Sequence, residues 1–253
     1  MKFTKIYILI SFLFSVGLLI ARELNANGIL TKVKDRNNGI DYSFELNILK
    51  KQKSKVDKAR RLKIWVHWPD NSIVSRMSKV ETLAPENLQD VNYWEHRYSD
   101  GRTTKRWMTL PITGKLKEIT GKKANKNEFD FSELEVTAEI IELYKNEIVG
   151  EEVIKGRNVL ILESRKMKNK DHKKMWVDAK EFFIHKAEFY TKRGRKRRVV
   201  HLDELRVVNE MIVPTHIKVE DLKKGIQYEV QVIDLEYKPC EKVNMFTPKA
   251  LKK

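Results

Sequence analysis

The segment KKMWVDAKEFFIHKAEFYTKRGRKRRVVHL (173–202) decides the fold class of this chain. Apolar and polar residues alternate on either side of two turn signals, one at Asp178 to Lys180 and one at Arg193-Gly194. Alternation with a period of two is the pattern of half-buried β-strands, and glycine and aspartate favour the tight turns between them. The segment therefore predicts a meander of consecutive antiparallel strands.

The same alternation continues through most of the chain. The segments DYSFELNI (41–48) and LKIWVHW (62–68) each place their apolar residues on one strand face. Those residues are Tyr42, Phe44, Leu46 and Ile48 in the first segment and Leu62, Ile64, Val66 and Trp68 in the second. Further hairpin turns are predicted at Asp100-Gly101, Lys155-Gly156 and Lys224-Gly225.

Two local irregularities qualify this pattern. Pro214 lies inside an apolar run, which predicts an edge strand or a bulge because proline cannot donate to a sheet ladder. In the last strand the apolar phase slips between Val232 and Ile233, which predicts a bulge or burial on both faces.

Helical signals are few. GILTKVKDRNN (28–38) has room for about two turns, and FSELEVTAEIIELYK (131–145) opens with Ser132 and Glu135 at the spacing of a capping box. Turn signals recur at short intervals, which favours an antiparallel all-β sandwich or barrel. Because no proline- or glycine-rich linker interrupts the chain after its first residues, a single domain is expected over residues 28–253.

The amino terminus resembles a secretory leader. Lys2 and Lys5 precede a mostly apolar run over residues 6–21, and small residues follow at Ala26 and Gly28. We expect a signal peptide over residues 1–26, with cleavage after Ala26 or Gly28, and hence a periplasmic protein; an uncleaved anchor is the alternative. The leader contains no cysteine, so the protein is not expected to be a lipoprotein itself.

Charge is strongly positive, with 51 lysines and arginines against 35 acidic residues and a formal net charge of +16. The densest cluster surrounds Gly194, at the predicted tip of a hairpin. Its members are Lys192, Arg193, Arg195, Lys196, Arg197 and Arg198. A nucleic-acid arm, a membrane-docking patch and a solvated turn are the alternatives; export removes nucleic acid as a partner and leaves anionic membrane surfaces or solubility.

Signatures of catalysis are missing from the sequence. No G-x-S-x-G, H-E-x-x-H or G-x-G-x-x-G spacing occurs, and the six histidines show no local metal-ligand spacing. Cys240 is the single cysteine, so no internal disulfide can form. We therefore expect a binding protein with no enzymatic activity, no cofactor and no metal.

Five tryptophans fall on predicted strands, and an apolar sheet face that is only partly covered would form a lipid-sized cavity. These residues are ordinary core residues in the alternative interpretation. The candidate groove residues are Phe44, Leu46, Ile64, Val66, Trp68, Trp94, Trp107 and Trp176.

Several segments, taken in order, resemble the outer-membrane lipoprotein-sorting, LolA-like family. The similarity is close over about residues 90–251 and looser over 28–90. It is carried by LPITGKLKEITGKKANKNEFDFSELE (110–135), IVGEEVIKGRNVLILESRKM (148–167), MWVDAKEFFIHKAEFYTKRGRKRR (175–198), IVPTHIKVEDLKKGIQYEVQVIDLEY (212–237) and NMFTPKAL (244–251).

This resemblance implies one strongly curved antiparallel sheet that forms an incomplete, half-open β-barrel lidded by short α-helices. It implies a periplasmic carrier that holds acyl chains of lipoproteins or lipids in an apolar groove and delivers them to an outer-membrane acceptor or a resistance-nodulation-type exporter. The alternative is a sensor of lipoproteins or envelope stress that acts through protein contacts. The hairpin around Gly194 is more cationic than the family pattern.

Overall fold

The computed structural model describes residues 25–36, 39–53, 55–56, 59–70, 73–120, 131–167 and 172–249. The predicted leader, apart from its last two residues, lies outside the described residues. These described residues include two α-helices, α1 (Ala26–Asp35) and α2 (Ala138–Leu143). Short 3-10 turns cover Glu86–Leu88, Phe131–Leu134 and Val243–Phe246.

Fourteen strands make up the rest of the described secondary structure. They are β1 (Tyr42–Gln52), β2 (Lys55–Val56), β3 (Arg60–His67), β4 (Val74–Ala84), β5 (Asn92–Tyr98), β6 (Lys105–Thr109), β7 (Leu116–Glu118), β8 (Tyr144–Ile154), β9 (Arg157–Lys166), β10 (His172–Asp178), β11 (Ile184–Tyr190), β12 (Lys196–Val208), β13 (Met211–Asp221) and β14 (Ile226–Tyr237).

All the strands belong to one sheet. Its order is β7-β6-β5-β4-β3-β1-β14-β13-β12-β11-β10-β9-β8, and β2 pairs separately with β1. Neighbouring strands pair in antiparallel fashion, as in β1 with β14 and β8 with β9. Among the described strands, β7 and β8 end the order without pairing with each other, so the sheet is not closed. The predicted mainly-β fold with one incomplete antiparallel sheet is confirmed.

The meander over residues 173–202 is confirmed as β10, β11 and β12. Met175 pairs with Ala187, and Ala187 pairs with Val200. The turn between β11 and β12 closes when the amide of Thr191 donates to the carbonyl of Arg195 at 2.9 Å. Gly194 has a φ of +73°, which a residue with a side chain rarely adopts. The predicted glycine turn is therefore required by the backbone.

Both predicted helices form, but one begins later than expected. The side chain of Asn25 caps α1 by accepting from the amide of Gly28 at 2.9 Å. Helix α2 begins after Thr137, whose hydroxyl accepts from the amide of Ile140, and not at Ser132. It ends at Leu143 because the following residues pair with β9. Cleavage after Ala26 or Gly28 would remove the cap Asn25; both positions stay predictions.

The two predicted irregularities had different outcomes. β13 lies between β12 and β14, so the expectation of an edge strand at Pro214 is wrong. The neighbouring backbone is irregular instead: Glu204 has a φ of +51°, and its carbonyl accepts from the hydroxyl of Thr215 at 2.6 Å. In β14 the predicted bulge is confirmed, because the register with β1 shifts by one residue just after Ile233.

The chain forms two compact units. The first contains Leu134–Asp203 and Val219–Lys224 together with the chain up to Arg36. The second contains Asn37–Glu133, Glu204–Lys218 and the chain from Gly225 onward. The single domain expected over residues 28–253 stays a prediction.

The first unit has a closely packed apolar core. Its side chains come from α1, from β9 and from the meander strands β10 to β12, where neighbouring strands contribute residues at matched positions. The fully or almost fully buried members are Ile29, Leu30, Val159, Leu160, Leu162, Met175, Val177, Ala187 and Val200. Burial of these side chains is the main source of stability in this unit.

Asp178 fastens the turn between β10 and β11 in the first unit. Its carboxylate accepts from the Arg157 guanidinium at 2.6 Å and from the backbone amides of Lys180 and Glu181 at 3.0 and 2.7 Å. His185 lies 3.4 Å away. Burial opposes ionisation, but these hydrogen bonds hold the pKa of Asp178 well below its usual range.

We predict that Asp178→Ala lowers the free energy of unfolding by about 3 to 5 kcal/mol, because it removes a buried carboxylate and leaves Arg157 and two part-buried backbone amides without their acceptor. The control Asp203→Ala removes an exposed ion pair with Lys155 and should cost less than about 1 kcal/mol. Urea unfolding at pH 7 measures both. Because the folded pKa of Asp178 is depressed, its contribution is complete above about pH 4 and is lost as the pH falls further. Equal losses in the two variants at pH 7 would contradict this role.

Candidate functional site

The strand register of the second unit aligns five apolar side chains across five neighbouring strands. Phe44 of β1 pairs with Ile64 of β3, Ile64 with Val80 of β4, Val80 with Tyr93 of β5, and Tyr93 with Met108 of β6. Paired residues point to the same face of a sheet. We call these five residues the apolar row.

The apolar row is only partly covered. All five of its side chains are half-buried, whereas the core side chains of the first unit are almost fully buried. Four strand intervals of about 4.8 Å give the row a length of about 19 Å. An acyl chain in a membrane spans half of a hydrocarbon core, or about 15 Å. The row is therefore long enough to lie against one acyl chain.

Four of the predicted groove residues belong to the face that carries the apolar row. Phe44 and Ile64 lie in the row itself, and Leu46 and Val66 flank it and are buried. Trp68 follows β3 in the same alternation, and its backbone amide donates to Asp41 at 2.9 Å. Within the described residues its buried indole nitrogen has no hydrogen-bond partner.

Trp94 and Trp107 lie on the opposite face of the sheet. They pair with each other, one position out of phase with Tyr93 and Met108. The indole of Trp94 donates to the carbonyl of Met245 at 3.0 Å. The structure thus places both tryptophans on the face opposite the apolar row, where Tyr93 and Met108 lie; their predicted role in a groove stays a prediction. The alternation of β5 and β6 alone could not have shown Tyr93 and Met108 as part of an apolar row, because Glu95 and Arg106, each two residues away on that face, are charged.

Trp176 belongs to the first unit. Its indole nitrogen donates to Glu152 at 2.7 Å, and the Lys186 amine lies 4.2 Å from the ring centroid. The side chain is almost fully buried. Trp176 is therefore held by contacts within the first unit, and its predicted place in the groove stays a prediction.

The carboxy-terminal segment packs on the opposite face, beside Trp94. His96 hydrogen-bonds to the carbonyl of Phe246 at 2.8 Å, and the Phe246 side chain is fully buried. Asp41 accepts from the amide of Cys240 at 2.9 Å. A cavity of about 530 Å³ lies under this segment. It is lined by Lys79, Glu81, Asn92, Trp94, Thr109, Gly114, Leu116, Asn244, Met245, Thr247, Pro248 and Lys249.

A cationic cluster shares the face of the apolar row. Glu95 accepts from Arg97 at 2.6 Å, from Arg106 at 2.7 Å and from Arg76 at 3.2 Å. Burial opposes the ionisation of this carboxyl, but the charges of Arg97, Arg106 and Arg76 lower its pKa to about 2. Glu95 is therefore ionised at neutral pH and holds three guanidinium groups together. Sequence reasoning missed this cluster, because its members come from three strands.

The cations of the hairpin around Gly194 have different environments. Lys192, Arg193, Arg195 and Lys196 are exposed. The guanidinium of Arg197 lies 5.4 Å from the ring centroid of Phe189. The exposed cationic surface of this hairpin is therefore formed by Lys192, Arg193, Arg195 and Lys196.

Arg198 differs from the rest of that hairpin. Its side chain is 9% exposed, and its guanidinium contacts Asp221 at 2.9 Å. This pairing, together with the amide of Lys224, holds the pKa of Asp221 below its usual value against the effect of burial. Arg198 therefore supports the fold of the first unit, which corrects its predicted place in a docking patch.

Neither a metal-binding cluster nor a membrane-spanning helix is found among the described residues. In the part of the chain that the structure describes, no three histidine, cysteine, aspartate or glutamate side chains are grouped so as to hold a metal ion. Within the same residues, neither helix has the length and hydropathy needed to cross a membrane.

Comparison with known structures gives the class of the fold. An outer membrane lipoprotein-sorting protein domain from Vibrio parahaemolyticus superposes with a TM-score of 0.74 at 17% identity, over 92% of this chain and 100% of the other. A LolA superfamily protein from Nitrosomonas europaea superposes with a TM-score of 0.65 at 17% identity, over 90% and 100%. The expected LolA-like fold is confirmed.

One more solved structure and one family model are similar to this chain. A DUF1329 family protein from Desulfovibrio piger has a TM-score of 0.76 at 18% identity, over 90% of this chain and 98% of the other. A family model described as "Uncharacterized protein" matches residues 75–253, so the chain belongs to that family. Comparison with curated proteins finds no match.

Proposed function

We propose that this protein is a periplasmic carrier that shields acyl chains of lipids or lipoproteins on the apolar face of its second unit. The observation that supports this proposal most directly is the apolar row, a half-buried line from Phe44 to Met108. The LolA-like fold agrees with it, since one of the superposed structures is a lipoprotein-sorting domain.

The energetics of the proposed complex are those of hydrophobic burial. Each methylene group removed from water contributes about 0.8 kcal/mol. A dozen such groups contribute about 10 kcal/mol before the cost of immobilising the chain is subtracted. Binding then needs no covalent step and no catalytic residue. Release requires an acceptor with higher affinity, for which we propose an outer-membrane protein or a membrane exporter.

The exposed cations at the tip of the β11–β12 hairpin are proposed to bring the carrier to anionic membrane surfaces. Lys192, Arg193 and Arg195 extend beyond the strands and are exposed. Each basic residue near such a surface contributes about 1 kcal/mol, and salt screens the attraction. This docking would place a loaded carrier near a membrane-bound acceptor.

We predict that a photoreactive p-benzoylphenylalanine on the face of the apolar row crosslinks to lipid in cells. Phe44 and Tyr93 are the test positions, because this aromatic side chain suits both. Glu45 and Asn92, the adjacent residues on the opposite face, are the matched controls. Mass spectrometry of the adducts should show acyl-chain products at the two test positions and far fewer at the controls.

Two results would count against the carrier. Lipid adducts in equal yield on both faces would mean that the apolar row has no special role. A stoichiometric protein adduct at Phe44 and Tyr93, without lipid, would favour the alternative function as a regulator that acts through protein contacts.

We predict that Arg193→Glu/Arg195→Glu weakens binding to phosphatidylglycerol-containing vesicles about tenfold or more at low ionic strength. The control Lys145→Glu/Lys155→Glu changes the net charge equally, at side chains of the same unit that are 67% and 65% exposed. Cosedimentation measures both. Equal loss in the two variants would mean that net charge alone, and not the hairpin, attracts the protein to the membrane.

A further inference from the structure

The two ends of the apolar row differ in charge. At the β6 end, Met108 has Arg106 two residues away on the same face and Lys117 directly opposite on β7. At the β1 end, Phe44 stacks with Tyr42, the next residue on its face, with ring centroids 6.0 Å apart. The row therefore leads from an aromatic end to a cationic end, which is the polarity of a binding site for an amphiphile.

The cationic end is held in place by Glu95. Arg106 donates to this carboxylate through its Nε atom at 2.7 Å, which orients the guanidinium and leaves its two terminal amino groups to other acceptors. The Arg106 side chain is 31% exposed, so a ligand can reach it. Glu95, Arg76, Arg97 and Arg106 form one cluster. Its three positive charges and one negative charge give a net charge of +2.

Lys117 adds a second accessible cation. It lies in the short strand β7, directly opposite Met108, and its side chain is exposed. Residues two apart on a strand are separated by about 7 Å, and neighbouring strands by about 4.8 Å. Arg106 and Lys117 therefore flank Met108 at distances that suit one phosphate group.

We propose that the preferred ligand is an anionic lipid, with its acyl chain along the apolar row and its phosphate head group against Arg106 and Lys117. This inference rests on the proposed carrier function and names the ligand class of the same site. The chain would run from Met108 toward Phe44. Arg76 and Arg97 surround the head group with positive potential, and Arg106 supplies a planar donor pair that matches phosphate oxygens.

The test compares two lysolipids with the same acyl chain, anionic lysophosphatidylglycerol and zwitterionic lysophosphatidylcholine. Each is titrated below its micelle concentration against a neutral fluorescent acyl probe bound to the protein. Wild type should bind the anionic lipid about tenfold more tightly, as expected for a charged hydrogen-bonded contact. Arg106→Gln and Lys117→Gln should each reduce this preference, and the double variant should abolish it.

Lys105→Gln is the matched control, because it removes the same charge one residue away on the opposite face of β6. It should retain the preference of wild type. Affinity for the neutral acyl probe, which carries no phosphate, should be unchanged in every variant, which separates loss of the head-group contact from misfolding. Lys117→Gln changes an exposed side chain, so the test does not depend on how well Arg106→Gln folds.

The outcomes separate this inference from the carrier function. If neither lysolipid displaces the probe from wild type, the carrier proposal fails. If both bind equally to wild type, or the preference survives in the double variant, the acyl site stands and the head-group site is overturned. Inorganic phosphate at matched ionic strength should not displace the probe; displacement by phosphate alone would assign the cations to a free anion and would also overturn the inference.

Discussion

The register of β1, β3, β4, β5 and β6 is the constraint on which the candidate site depends. Each of these strands alternates, so a shift of one residue in any pairing would move its side chains to the other face. In the observed register Phe44, Ile64 and Val80 align, and Tyr93 and Met108 extend the line. The opposite face takes Trp94 and Trp107 and is covered by the carboxy-terminal segment. One pattern of pairing thus produces both an apolar face and its covered counterpart.

Buried carboxylates organise the positive charge of this chain. Asp178 fixes Arg157 and a turn, Asp221 fixes Arg198, and Glu95 gathers three arginines beside the apolar row. Each acid is held ionised by the cations and amides around it. The high net charge is therefore not spread evenly: part of it stabilises turns and strand pairs, and part remains on exposed tips. The cations on the exposed tips and the accessible guanidinium of Arg106 are the part available to membranes and ligands.

Much of the fold could be predicted from the sequence, because strand alternation and turn residues are local signals. The meander over 173–202, the glycine turn at Gly194 and the bulge near Ile233 all followed from such signals. The start of α2 did not, since Ser132 and Thr137 both precede helical residues and the later cap is the one used. The edge position predicted from Pro214 was also wrong, because β13 lies between two other strands. The irregular backbone lies in the neighbouring strand, at Glu204.

The candidate site could be predicted only in part, for a physical reason. Phe44, Leu46, Ile64 and Val66 belong to clearly alternating strands, so their shared face was visible in the sequence. Tyr93 and Met108 have charged residues two positions away on their own face, and the sequence drew attention instead to Trp94 and Trp107, which lie on the opposite face. The cluster around Glu95 forms only when three strands meet in register. Long-range pairing, which no local pattern specifies, decides these positions.

Methionine methyl groups offer the most direct measurement of ligand location, because Met108 lies on the apolar row and Met77 lies on the opposite face of the same sheet. Both are half-buried residues of the second unit. NMR spectra of protein labelled with carbon-13 at the methionine methyls are recorded with a lipid that carries a nitroxide on its acyl chain. We expect strong broadening of the Met108 signal and clearly weaker broadening of the Met77 signal. Broadening of Met77 with a sharp Met108 signal, or no broadening of either, would contradict the claim that the apolar row carries the acyl chain.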